Sequence, residues 1–147
     1  MKVALAGTSA IRASAETTWS RLSDASFVAS CAPGVESVRE LGDGRSEALA
    51  SFGAGPIRLR FRIEAAFVSE SPGSSAQVTL RGRAPGTEFR AALHLDVRSA
   101  GAGSSVAWTG SADVHGVLAS VGSRGVEAAA RAAAEKFWLA FADKAAG

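Results

Sequence analysis

Scarcities bound this sequence before any motif does. A single cysteine, Cys31, in 147 residues excludes an internal disulfide framework and a CxxC redox centre. Only two histidines occur, His94 and His115, with no cysteine at ligand spacing, so no metal site and no cofactor site is expected. Each histidine is assigned a solvent-facing or capping role. No apolar run approaches the ~20 residues that a membrane span needs. A net charge of +2 is too small to argue for nucleic acid. Tyrosine is absent and the basic residues are nearly all arginine, a compositional habit rather than a functional sign. What is present is 47% hydrophobic and 20% charged, the composition of one ordinary globular domain over residues 1–147, long enough to bury a core.

The opening MKVALAGTSAIRASA imitates a signal peptide, with Lys2, a short apolar run and an Ala13-Ser14-Ala15 triplet. Thr8 and Ser9 break that run and Arg12 stands where a signal carries no charge. Residues 3–12 therefore read as a strand, and the chain as cytoplasmic. Ser14 and Asp24 are N-caps for two short helices, AETTWSRLSD and ASFVASC, the second stopped by Pro33-Gly34.

Six strands follow at tight turns. Val35–Leu41 ends at Gly42-Asp43-Gly44, and Arg45–Ala54 ends at Gly55-Pro56. Ile57–Val68 alternates most clearly: Ile57, Leu59, Phe61, Ile63, Ala65 and Phe67 share one face, Arg58, Arg60, Arg62 and Glu64 the other. Ala76–Ala84, the run from Phe89 to Val97, and Val106–Val114 alternate likewise. Each strand has one apolar face, so the sheet needs a single covering layer. The stretch from His115 to Ala145 supplies it, read as a long helix free of proline from Leu118 to Asp143. Its stripe is Leu118, Val121/Gly122, Gly125, Ala129, Ala132/Ala133, Lys136/Phe137 and Ala140/Phe141: large at the ends and small between. The expected fold is α+β, a seven-stranded curved antiparallel sheet around a long C-terminal helix, with two short helices after the first strand. Small helix residues facing large strand residues fit either a close helix–sheet contact over a filled core or an apolar cavity, and the cavity is the expectation once the resemblance below is added.

Four local patterns span nearly the whole chain in order: Trp19-Ser-Arg-Leu-Ser-Asp24, Cys31-Ala-Pro-Gly-Val-Glu36, Gly55-Pro56 before the alternating strand, and Gly116-Val-Leu-Ala-Ser-Val-Gly-Ser-Arg124 leading to Phe137-Trp138. With these the sequence resembles the CoxG family, named for the G subunit of carbon monoxide dehydrogenase, within the helix-grip, START-like and birch-allergen-like superfamily (SRPBCC). The resemblance implies a non-enzymatic protein that binds a hydrophobic, lipid-like molecule such as a quinone. It also implies an accessory or recruitment role for a molybdenum-containing dehydrogenase or its assembly machinery. Family members often continue into a Pro/Ala-rich tail with a hydrophobic end. This sequence stops at Gly147, so the expected membrane contact is at most peripheral, at the inner face. The family's Gly/Lys-rich stretch is replaced by Arg81-Gly-Arg-Ala-Pro-Gly86, which alters any partner surface there.

The expected ligand-lining set is Phe52, Phe61, Ile63, Phe67, Leu80, Phe89, Leu93, Leu95, Trp108, Leu118, Val121, Gly125, Ala129, Ala132 and Phe137. An apolar ligand losing ~300 Å² to such a cavity gains about 7 kcal/mol gross at ~25 cal/mol/Å², which suits a micromolar carrier. Arg58, Arg60, Arg62, Arg81 and Arg83 form an arginine-rich outer face for an acidic protein or an anionic lipid surface. No catalytic set is expected. His94 with Asp96, and Asp113 with His115, fall on the polar face, away from the cavity. Gly122-Ser123-Arg124-Gly125 lies in a helical pattern, not at a nucleophile elbow. The alternatives are a small cyclase, aromatase or hydrolase of the same fold, and an assembly factor acting through the arginine face.

Overall fold

Period-two alternation and turn chemistry account for most of the backbone. The computed structural model describes residues 1–146; Gly147, where the sequence ends, lies outside them. Strand β1 (Lys2–Ile11) is followed by α1 (Ala15–Leu22) and α2 (Ala25–Cys31). The two caps form as the sequence requires. The Thr17 N–H donates to Ser14 Oγ at 3.1 Å, and the N–H groups of Ser26 and Phe27 donate to Asp24 Oδ1 at 3.1 and 3.2 Å. Then come β2 (Val35–Gly42), β3 (Arg45–Ala54), β4 (Ile57–Ser71), β5 (Ser75–Ala84), β6 (Thr87–Ala100) and β7 (Gly103–Gly116). They form one antiparallel sheet in the order β1-β7-β6-β5-β4-β3-β2.

The C-terminal stretch differs from its expectation. It is not one helix from Leu118. Strand β7 runs to Gly116, Val117–Val121 is a short 3-10 segment, and α3 spans Ser123–Ala146. Gly116 (φ 100°, ψ −149°) and Gly122 (φ 93°, ψ 156°) flank the segment in a backbone region that essentially only glycine adopts. The inward stripe of α3 is Val126, Ala129, Ala133, Phe137 and Phe141; of the paired positions in the expected stripe, Ala132 and Lys136 are the ones exposed on the opposite side.

Helix α3 lies close to β1 and β3 and stands off the central strands. The twisted sheet curls round it, and the core divides in two. One cluster joins Ile11, Leu22, Cys31, Leu95, Val97, Val106, Phe141 and Ala145 beneath α1 and α2. The other joins Val3, Ala54, Phe61, Val114, Leu118 and Val126 beside the 3-10 segment.

Candidate functional site: a hollow between two cores

The two clusters lie at opposite ends of the concave sheet face, which α3 crosses. At the first end, Phe141 is fully buried and sits edge-on to Phe27, with ring centroids 5.5 Å apart. Trp138 stacks near Trp108 with centroids at 6.2 Å, and Phe137 lies edge-on to Trp138 at 4.9 Å. Beneath them, Thr18 and Ser104 share a buried hydrogen bond of 2.7 Å between their hydroxyls. At the second end, Leu118 projects from the 3-10 segment into its cluster and is 2% exposed. The Leu118 N–H donates to Thr87 Oγ1 at 3.2 Å, and the Val117 N–H donates to the Gly86 carbonyl at 2.8 Å. Phe61 and Phe89 meet edge-on, centroids 5.3 Å apart, and the Phe89 ring lies over Gly82, where any side chain would collide with it.

Between these ends the inward-facing side chains remain partly open. Phe52, Ile63, Phe67, Leu80, Phe89, Leu93 and Trp108 are half-buried although they face the interior, as are Ala129, Ala133 and Phe137 on α3. Leu80, Leu93 and Ala133 belong to neither cluster. Cross-strand neighbours widen the space with small residues: Leu93 opposes Gly110, Leu80 opposes Ala91, and Ile63 opposes Gly82 and Ala48.

The expected lining thus sorts into two groups. Phe52, Ile63, Phe67, Leu80, Phe89, Leu93, Trp108, Ala129 and Phe137 face the concave side and are half-buried. Phe61, Leu95 and Leu118 are sealed inside the clusters, each 5% exposed or less. Val121 and Gly125 pack on each other at the helix start. Ala132 sits in a groove of about 500 Å³ on the outside of α3, with Arg124, Glu127 and Arg131. The stripe read from sequence carries Ala132/Ala133 together, and the structure separates them: Ala133 is half-buried on the inward side and Ala132 is exposed.

The inward positions of β1 and β3–β7 are apolar, glycine, serine or threonine. On edge strand β2, register with Ser46 puts Glu40 on this side, at the exposed rim. The ionisable groups gather on the convex face. His94 bridges Glu70 (Nδ1 to Oε1, 3.0 Å) and Asp96 (Nε2 to Oδ2, 3.2 Å). The two carboxylates lie at opposite ring nitrogens and do not converge on a point. The Met1 ammonium donates to Asp113 at 3.2 Å and His115 approaches the same oxygen at 3.3 Å. That hydrogen bond, aided by the charge of His115, holds the Asp113 carboxyl below the usual aspartate range. A depressed folded-state pKa stabilises the fold above the unfolded value of about 3.9, and the increment is lost as pH falls through the lower folded value. Asp113→Asn should therefore lower the urea midpoint at neutral pH and shrink the further loss in acid. Urea melts at neutral pH and at successively lower pH measure this.

A seven-stranded antiparallel sheet gripping a long C-terminal helix defines a helix-grip protein. The fold recurs in a conserved protein from Geobacillus kaustophilus (TM-score 0.89, 19% identity, covering 99% of this chain and 95% of that one). It recurs in the Zhui aromatase/cyclase from Streptomyces sp. R1128 (TM-score 0.70, 14% identity, 99% and 94%) and in Ara h 8.0201 (TM-score 0.66, 10% identity, 99% and 98%). The family model for the carbon monoxide dehydrogenase G subunit (CoxG) matches residues 7–146, and the chain belongs to that family. No curated protein matches it in sequence. Among the described residues no helix is long and apolar enough to cross a membrane.

Proposed function

We propose that the chain binds a neutral, lipid-like molecule in the hollow, as a cytoplasmic carrier. The supporting observation is the persistent exposure of large apolar side chains at the centre of the concave face. Leu80 and Leu93 lie beneath a helix yet remain half-buried, because α3 stands off the strands that carry them. Leaving such surface wet costs free energy that an apolar guest recovers. A floor without charged side chains suits a guest with an uncharged body. Membership of the CoxG family supports a service role for a carbon monoxide dehydrogenase-type enzyme; the guest we propose is a quinone, and the enzyme a molybdenum-containing one. The floor strands offer no acid or base to the hollow, so the carrier reading is preferred to a cyclase-like reaction.

Native mass spectrometry of freshly purified protein, followed by solvent extraction, tests this. The expected result is a co-purifying lipid or quinone, and saturable quenching of the fluorescence of Trp108 and Trp138 when decylubiquinone is added. An empty protein that ignores both decylubiquinone and palmitate would sink the proposal.

A further inference from the structure

The convex face carries four arginines whose placement the hollow does not explain. Register sets Arg62 of β4 directly opposite Arg83 of β5, and Arg81 of β5 directly opposite Arg90 of β6. Alternation projects all four from the same face. Opposed side chains on neighbouring strands start about 5 Å apart, and residues i and i+2 on one strand about 7 Å apart, so the four guanidinium groups share one compact patch. Like charges in direct opposition destabilise a sheet. Carboxylates on the outer neighbouring strands offset part of this repulsion, but they form no direct ion pair with the four. Arg60 is paired with Glu36 at 2.6 Å and Arg39 with Glu47 at 3.3 Å, while none of the four lies within 4.0 Å of a carboxylate among the described residues. Strand order makes β4, β5 and β6 central, so protecting a sheet edge does not account for the charges.

We propose that Arg62, Arg81, Arg83 and Arg90 form a docking patch for an acidic segment of a partner protein. The patch differs from the arginine face expected from sequence: Arg60 is neutralised by Glu36, and Arg90 joins through the β5–β6 register. A planar guanidinium takes a carboxylate through two parallel hydrogen bonds, and four on a rigid sheet give such a contact a fixed register. The border of the patch selects a protein over other polyanions. Glu64 lies opposite Arg81, Glu88 opposite Arg83 and Asp113 opposite Arg90. These fixed negative charges repel a uniformly anionic bilayer or a phosphate backbone, and suit a partner of mixed charge. No aromatic side chain stands beside the arginines to stack a base. Docking at this face does not depend on what fills the hollow.

The test uses the full chain and a short fluorescein-labelled peptide in which glutamate alternates with serine at the strand spacing and a lysine stands at each end, to meet the carboxylates that border the patch. Fluorescence anisotropy at low and physiological salt should show binding that weakens by about tenfold or more in R62Q/R83Q. The variant R83Q/S20R keeps the net charge but moves one arginine to α1, and should also bind more weakly. R131Q, on the outside of α3, should bind as the parent does. Equal binding by R83Q/S20R would show that net charge alone attracts the peptide and would overturn the proposal. So would no peptide binding by the parent, or tighter binding to phosphatidylglycerol-rich vesicles or to a DNA duplex. Melting temperatures of R62Q/R83Q should equal or exceed the parent's, because opposed charges are removed. A marked fall would make the arginines structural and overturn the docking role.

Discussion

Ala133→Trp should abolish binding of an apolar guest while the protein stays folded. Ala133 sits on the inward stripe of α3 midway between Val126 and Phe141, half-buried and part of neither core. A tryptophan side chain buries some 150–250 Å² of its own surface, comparable with a large share of what a guest would cover. If the guest gains about 7 kcal/mol gross from ~300 Å², losing half of that contact costs about 3–4 kcal/mol. That corresponds to a roughly 100- to 1,000-fold rise in Kd. Titration of decylubiquinone into parent and variant, read by tryptophan quenching and checked by isothermal calorimetry, measures it. In a filled core the same substitution would overpack and unfold the protein. A folded variant that still binds as the parent does would place the guest elsewhere.

Phe141→Ala and Leu93→Ala should have opposite profiles, although both remove a large inward-facing side chain. Phe141 is fully buried among Phe27, Phe137 and Trp138, so its removal leaves an apolar void. The expected loss is about 3–5 kcal/mol, or a fall in Tm of roughly 10 °C for a chain of this size. Leu93 faces Gly110 across the β6–β7 pair and already borders open space. Truncating it creates little new void and should cost under about 1.5 kcal/mol. It removes part of the guest's contact surface, so guest affinity should fall about tenfold. Urea unfolding with guest-free protein gives the stabilities, and quenching titrations give the affinities. Equal destabilisation by the two substitutions would mean that the centre is packed like the ends.

Much of the fold was legible because its signals are local. Alternation placed Phe61, Ile63 and Phe67 on one face of β4 and the arginines on the other, since a strand has an invariant period of two. Ser14 and Asp24 were readable as caps because a cap bond spans only two or three residues. The end of β7 was harder. Gly116 and Gly122 mark the break, but glycine inside an alanine-rich stretch also fits a continuous helix at modest cost. Helical spacing placed Ala132/Ala133 together at the edge of one stripe, and spacing alone does not decide which of two neighbours turns inward.

The sequence by itself determined the order of elements, the sidedness of every long strand and the polarity of both sheet faces, because these depend on neighbours within a few residues. Three things were decided only in the tertiary structure. The first is which of the neighbours Ala132 and Ala133 turns inward on α3, set by docking Phe137 and Phe141 against the end cluster. The second is which inward residues are sealed, like Phe61 and Leu95, and which stay open, like Leu80 and Leu93. That follows from the distance at which the helix rides over the central strands. The third is the meeting of Arg62 with Arg83 and of Arg81 with Arg90, while Arg60 finds Glu36. Such partnerships are fixed by strand register, and register is a property of the whole sheet.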